Sequence, residues 1–187
     1  MNGNPMDRRR FLQCIAAAAA TPALPVPARA NSAVLGPLVS DPNRLLDIPR
    51  GFELTVVSKL GDRMSDGLRV PAMHDGMAAF DAGGGRVALV CNHEMDSNNT
   101  AESAFGPDYD SVPDQIKELV YDNGRGLTPG AGGTTTTIYD PVTRKTERQH
   151  LSLAGTEVNC SGGPTPWGSW LSCEESFEGP GVGHIQG

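Results

Sequence analysis

The stretch with the most reactive side chains runs over residues 159–175. It places the thiol of Cys160, a soft metal ligand, on the same short segment as the adjacent carboxylates of Glu174 and Glu175. Adjacent side chains of an extended chain point to opposite faces, so we expect only one of the two glutamates to enter a shared pocket. A mixed set of thiolate and carboxylates suits iron better than magnesium or calcium alone. The alternative is a tight loop between strands, with a buried cysteine and solvated glutamates.

A third carboxylate, Glu94, follows the apolar run at residues 87–91 and the polar pair Asn92 and His93. A second apolar run, at 170–173, also ends in a cysteine and then acid. We therefore expect two buried strands to deliver Glu94 and one of the later glutamates to the pocket of the thiol. Asn92 and His93 are expected to orient the ligands by hydrogen bonds, although a histidine at a strand end is more often structural.

The elements that must position these residues are short strands and turns, as 23 glycines and 15 prolines favour. The alternation at residues 52–57 predicts a strand, and 74–91 predicts a hairpin that turns at three glycines. The threonine-rich segment 134–153 predicts a second hairpin. Between these hairpins, 95–133 is polar and glycine-rich, and we expect it to cover the pocket rim. It contains one predicted short helix at 111–121, capped by its first serine.

Glycine and proline at positions 162–166 predict tight turns, and Trp167, Trp170 and Leu171 are expected to anchor that loop in a core. Asp66 stands beside a glycine, where a turn is more common than a metal contact.

Residues 1–30 have the pattern of a twin-arginine signal peptide, with paired arginines at Arg8 and Arg9, an alanine run and an Ala-x-Ala cleavage site. The pattern predicts export to the periplasm or beyond by the twin-arginine machinery, without a stable membrane anchor. The export route carries folded proteins, which suits a protein that takes up metal in the cytoplasm.

Removal of residues 1–30 takes away four arginines and one aspartate, which leaves 11 basic and 21 acidic residues and a net charge of −10. So acidic a chain, without a basic stripe, argues against nucleic-acid binding. It would also repel a phosphate dianion unless bound cations reversed the local charge. Three cysteines remain, so one disulfide plus a free thiol, or no disulfide, are both open.

Five sequence blocks in order closely resemble the PhoX-type alkaline phosphatases. They are Gly-Asp-Arg-Met-Ser-Asp-Gly at 61–67, His-Asp-Gly-Met-Ala at 74–78, Cys-Asn-His-Glu at 91–94, Gly-Gly-Thr-Thr-Thr at 132–136, and the whole of 159–175. The resemblance implies an all-β fold, a six-bladed β-propeller whose axial pocket holds ferric iron and calcium and hydrolyses phosphomonoesters. It also implies that Cys160 is an iron ligand and that Glu94, Glu174 and Glu175 bind iron or calcium.

A propeller blade takes roughly 40 to 50 residues, so residues 31–187 are expected to be the N-terminal part of a longer monomeric propeller. By itself, this part is expected to be inactive and not to fold stably, because it leaves an open sheet edge. Two other functions remain open. The parent protein could be a calcium-stabilised binding module without phosphatase activity, or a propeller lactonase.

Overall fold

The computed structural model describes residues 35–124 and 129–177, and the predicted signal peptide lies outside them. The chain divides into two compact units, one up to residue 54 and one from residue 55. In the described part of the first unit, β1 (Leu38–Val39) pairs antiparallel with β2 (Ile48–Pro49). Asp41 closes the intervening turn, because its carboxylate accepts hydrogen bonds from the backbone amides of Asn43 and Leu45, two and four residues further along.

The second unit is built on a four-stranded antiparallel sheet in the order β3-β4-β5-β6. Its strands are β3 (His74–Asp81), β4 (Val87–His93), β5 (Gly132–Asp140) and β6 (Lys145–Thr156). The hairpins predicted at 74–91 and 134–153 are therefore confirmed. Three consecutive left-handed glycines at 83–85 form the turn of the first, as only glycine does without strain.

A separate hairpin follows, made of β7 (Asn159–Pro164) and β8 (Trp170–Glu174). Gly162, Gly163 and Pro164, expected to form turns, lie in β7, whereas Pro166 lies in the turn within the loop at residues 165–169. Of the expected aromatic and apolar anchors, only Trp170 is half-buried. Trp167 is 79% exposed and Leu171 is 60% exposed. The backbone ladder with β8, rather than the apolar side chains, therefore holds most of this segment.

The segment between β4 and β5 corrects two further predictions. The predicted helix at 111–121 is reduced to a 3-10 turn, Tyr109–Ser111, and to α1 (Asp114–Lys117), which has no side-chain cap. The hydroxyl of Ser111 binds the carbonyl oxygen of Asp108 instead. Although polar and glycine-rich, the segment 95–133 also contributes buried apolar residues to the core, namely Met95, Ala104, Val112, Val120 and Ala131.

The strand predicted at residues 52–57 does not form. The segment has no regular secondary structure, and its alternating apolar side chains Phe52, Leu54 and Val56 are 55%, 43% and 57% exposed. Alternation alone does not make a strand, because a strand needs a partner for its backbone groups.

The described chain is mostly β-sheet with few helical turns, as predicted. A four-stranded antiparallel meander is also the unit from which propeller blades are built. A closed ring of blades is not seen within residues 35–124 and 129–177, so the six-bladed propeller stays a prediction. In the same residues, no helix is both long and apolar enough to cross a membrane.

Candidate functional site

Three polar residues lie at the end of strand β4, and their side chains point to both faces of the sheet. Asn92 and His93 are completely buried, and Glu94 follows at the strand end, half-buried. The backbone amide of Glu94 donates to the carbonyl oxygen of Met73 at 2.9 Å, which fixes Glu94 beside the start of β3. Met73 itself has a left-handed φ of 51°, which is uncommon for a residue with a side chain.

Asp75 lies next to Glu94 because β3 is irregular at this point. The register with β4 shifts between His74 and Met77, so that Asp75 and Gly76 form a β-bulge. Bulges commonly re-aim side chains beside functional sites. The carboxyl group of Asp75 lies near enough to Glu94 to raise the pKa of Glu94, after the larger effect of desolvation.

Cys160 is held on a second bulge. The register of the β7–β8 ladder shifts between Asn159 and Ser161, which leaves Cys160 as the extra residue. Strand β7 packs directly on β3 at Gly76, where an added Cβ would lie only 2.8 Å from the carbonyl oxygen of Cys160. The absence of a side chain at Gly76 therefore allows the thiol-bearing strand to lie against the acidic bulge of β3.

Glu175 completes the cluster through a strained turn. Its backbone amide donates to the carbonyl oxygen of Val158 at 3.0 Å, and the amide of Val158 donates to the carbonyl oxygen of Met95 at 2.9 Å. Val158 has a φ of 50°, which is rare for a β-branched residue and costs on the order of 1–3 kcal/mol. This turn ties the residue after Glu94 to the residue after β8.

Electrostatic effects on Glu94 and Cys160 connect them with Asp75 and Glu175. The pKa of Glu94 is raised by desolvation first, then by the charge of Asp75, by their hydrogen bond, and by the charge of Glu175. The pKa of the Cys160 thiol is raised by desolvation first, and the charges of Glu175, Glu94 and Asp75 raise it further. No cationic side chain is among these causes, so the charged members of the cluster are all carboxylates.

The chemistry of these donors fits a cation, since a nearby positive charge would favour the anionic forms of Glu94 and Cys160 that the neighbouring carboxylates disfavour. Their spacing in this structure is wider than one ion requires. Within residues 35–124 and 129–177, no three His, Cys, Asp or Glu side chains are close enough together to hold a metal. Metal ligation by Glu94, Cys160, Glu174 or Glu175 thus stays a prediction.

The two adjacent glutamates have different surroundings. Glu174 accepts a hydrogen bond from the backbone amide of Glu157 at 2.6 Å, which uses its carboxylate to hold the turn before β7. Glu175 is the one whose charge acts on Glu94 and Cys160. The structure therefore separates a turn-holding Glu174 from a Glu175 in the anionic cluster.

Asn92 joins β4 to the β7–β8 hairpin. Its Nδ2 donates to the carbonyl oxygen of Ser161 at 2.8 Å, and its Oδ1 accepts from Trp170 Nε1 at 2.9 Å and from Ser172 Oγ at 3.0 Å. A fully buried amide with three partners is expensive to disturb. Asn92 thus holds the hairpin that carries Cys160.

Both ring nitrogens of His93 make hydrogen bonds, on the face of the sheet opposite to Asn92. Nδ1 lies 2.7 Å from the carbonyl oxygen of Ala72, and Nε2 lies 2.9 Å from Thr135 Oγ1. The first contact requires Nδ1 to donate, so Nε2 accepts from the threonine hydroxyl. Burial lowers the pKa of His93 to about 4, with a further contribution from nearby His74. His93 is a neutral, structural histidine.

The cysteines form no disulfide among the described residues. Cys91 is buried, Cys160 is half-buried and Cys173 is exposed. Asp75 is the residue of the cluster that sequence analysis did not single out. Its only signal was its place in the His-Asp-Gly block, where the glycine permits the close approach of β7.

The sequence was compared with protein families, curated proteins and solved structures. The family model for the alkaline phosphatase PhoX matches residues 34–145 and 127–186, which together cover most of the chain. The chain belongs to the PhoX family. No curated protein and no solved structure matches it. All four residues of the anionic cluster lie within the matched PhoX segments, and the family is in general metal-dependent.

Proposed function

We propose that this chain carries part of the metal centre of a secreted or periplasmic alkaline phosphatase that hydrolyses phosphomonoesters with ferric iron and calcium. The observation that supports it most is the packing of β7 on β3 at Gly76, which brings the strand of Cys160 against the bulge that carries Asp75, in a member of the PhoX family. The net charge of the chain is −7, and part of that negative charge is concentrated in the cluster, so a phosphate dianion could bind here only after cations did.

The described residues would divide the work as follows. Asp75, Glu94 and Glu175 would provide hard oxygen ligands, and Cys160 would provide the soft ligand that favours iron. Bound cations would hold the phosphoryl oxygens, activate an oxygen nucleophile and neutralise charge as the alcohol leaves. Asn92 would keep the hairpin of Cys160 in register with β4.

Glu174 and Glu175 allow a matched pair of substitutions, both made in the protein as its gene encodes it. Glu175→Gln should lower bound metal and turnover of a chromogenic phosphomonoester about tenfold or more, the range found even for residues that only support ligands. Glu174→Gln keeps an oxygen that can accept from the amide of Glu157 and should change both by less than about twofold. Metal content is measured by elemental analysis and turnover from the released chromophore.

Equal effects of the two substitutions would contradict the assignment of Glu175. A protein that binds calcium without hydrolysing phosphoesters or lactones would be a binding module, and cleavage of a lactone alone would identify a lactonase. Either result would overturn the phosphatase proposal.

A further inference from the structure

Two thiols face the same side of the β7–β8 hairpin. Asn159 and Ser172 bond to each other through their side chains on one face, so the alternation of the strands places Cys160 and Cys173 on the opposite face. Cys160 Sγ lies 4.0 Å from the carbonyl oxygen of Cys173. The thiol of one strand therefore reaches the backbone of the other cysteine.

The bulge makes the two residues near neighbours across the ladder. Ser161 pairs with Cys173, and Cys160 is the extra residue beside Ser161, so Cys160 and Ser161 together oppose Cys173. Directly opposed residues of antiparallel strands have Cβ atoms about 4.5–5.5 Å apart, and disulfides need roughly 3.5–4.5 Å. A cross-strand disulfide here requires the bulge to close so that the Cβ atoms of Cys160 and Cys173 come within that range.

The three described cysteines differ in their exposure to solvent. Cys173 is exposed and Cys160 is half-buried, whereas Cys91 is only 7% exposed. Cys91 Sγ also faces the carbonyl oxygens of Asp75 and Asn92 rather than another thiol. An oxidant in solution can thus reach the hairpin pair while Cys91 stays protected.

We propose that Cys160 and Cys173 form a reversible cross-strand disulfide that withdraws Cys160 from the anionic cluster. The oxidant is a low-molecular-weight disulfide. The thiolate of Cys173 attacks it, forms a mixed disulfide and releases one small thiol. The thiolate of Cys160 then attacks the sulfur of Cys173 and releases the second small thiol. The protein loses two S–H bonds and gains one S–S bond, the small disulfide is reduced to two thiols, and the protons pass to them.

The consequence for the metal rests on the proposed function. A sulfur that is bonded to Cys173 cannot also be a thiolate ligand, so the oxidised protein would lose its soft donor and, with it, iron. The exported compartment predicted from the signal sequence is oxidising, so this pair would respond to the surroundings of the protein.

The test uses the protein as its gene encodes it. The sample is first freed of metal and fully reduced. After equilibration with oxidised glutathione under native conditions, remaining thiols are alkylated and the linked peptides are mapped by mass spectrometry. We expect one intramolecular Cys160–Cys173 link, with Cys91 still alkylated. The Cys173→Ser variant should show no intramolecular link, and unfolding in guanidinium before oxidation should scramble the pairing.

The inference fails if folded protein keeps both Cys160 and Cys173 alkylated, or links either of them to Cys91 or to a second chain only. Iron uptake is measured separately on reduced and oxidised protein. We expect at least a tenfold loss of iron on oxidation, reversal by a dithiol reductant, and no loss in Cys173→Ser. If protein with the Cys160–Cys173 disulfide kept its iron, the proposed effect of the disulfide on iron binding would be wrong. Failure of reduced protein to bind iron would overturn the proposed function, and the peptide map would still decide whether the disulfide forms.

Discussion

Replacement of Gly76 by alanine tests whether the close packing of β3 and β7 builds the site. The new Cβ would lie 2.8 Å from the carbonyl oxygen of Cys160, 3.2 Å from the Cα atom of Ser161 and 3.6 Å from Asn92 Nδ2. Ordinary contacts begin near 3.4 Å. Because the two nearest atoms belong to the backbone, no rotamer change can relieve the overlap, and β7 must move away by about 0.6 Å, the difference between 3.4 and 2.8 Å.

Overpacking of this kind typically costs about 1–3 kcal/mol. The exchange of glycine for alanine also stabilises by about 0.4–1 kcal/mol through the unfolded chain, so a control must carry the same gain. Gly163, in β7, meets nothing within 4 Å and has no left-handed φ. We therefore expect Gly76→Ala to be about 1–3 kcal/mol less stable than Gly163→Ala.

The measurement is urea unfolding of both variants, followed by circular dichroism, together with metal content after equilibration with iron and calcium. Gly76→Ala should lose metal because the shift moves Cys160 relative to Glu94, and Gly163→Ala should keep it. If the two variants have equal unfolding free energies and equal metal contents, the tight β3–β7 contact does not form the site.

Three further predictions concern single side chains. Glu94→Gln should raise the urea midpoint of the metal-free protein at pH 7 and lower its affinity for calcium. The reason is that Glu94 has a raised pKa, so its charge is disfavoured in the folded state. The control Glu174→Gln should change neither quantity, and a lower urea midpoint of Glu94→Gln would contradict this account. The pKa of His93 is about 4 in the folded state against 6.5 ordinarily, so the unfolded chain binds more protons between these values and stability should fall by about 3 kcal/mol as pH drops from 7 to 4. The decline should be flatter in His93→Gln, as urea midpoints at several pH values would show, and parallel profiles would refute the assignment. Cys160→Ser should remove the visible ferric-thiolate absorption of iron-loaded protein while Cys173→Ser retains it, and a band that persists without Cys160 would exclude it as the iron ligand.

Local sequence was enough for the two hairpins of the main sheet. Each has a β-favouring run, a strong turn signal and a partner within about 15 residues, so neighbouring residues determine both strands and their pairing. The same logic failed at residues 52–57, where alternation was present but no adjacent segment could supply a ladder partner. It also overestimated the helix at 111–121, since a short helix depends on packing more than on propensity.

The candidate site was accessible to sequence analysis only in part. Glu94, Glu174 and Glu175 could be selected because they follow apolar runs, and Cys160 because its thiol lies on the same short segment as the two later glutamates. Asp75 could not, because its position depends on a bulge, and a bulge is set by the pairing of two strands rather than by either strand alone.

The sequence by itself determined the chemical inventory of this protein: a thiol and several carboxylates at the ends of apolar strands, in a chain of glycine-rich hairpins. Tertiary structure decided which of them share a location. It turned Glu174 toward the backbone of Glu157, brought Glu175 to Glu94, and used the polar atoms of His93 within the sheet. The physical reason is that a side chain's direction follows from register, bulges and the approach of one strand to another, as at Gly76, and these contacts join residues far apart in the chain.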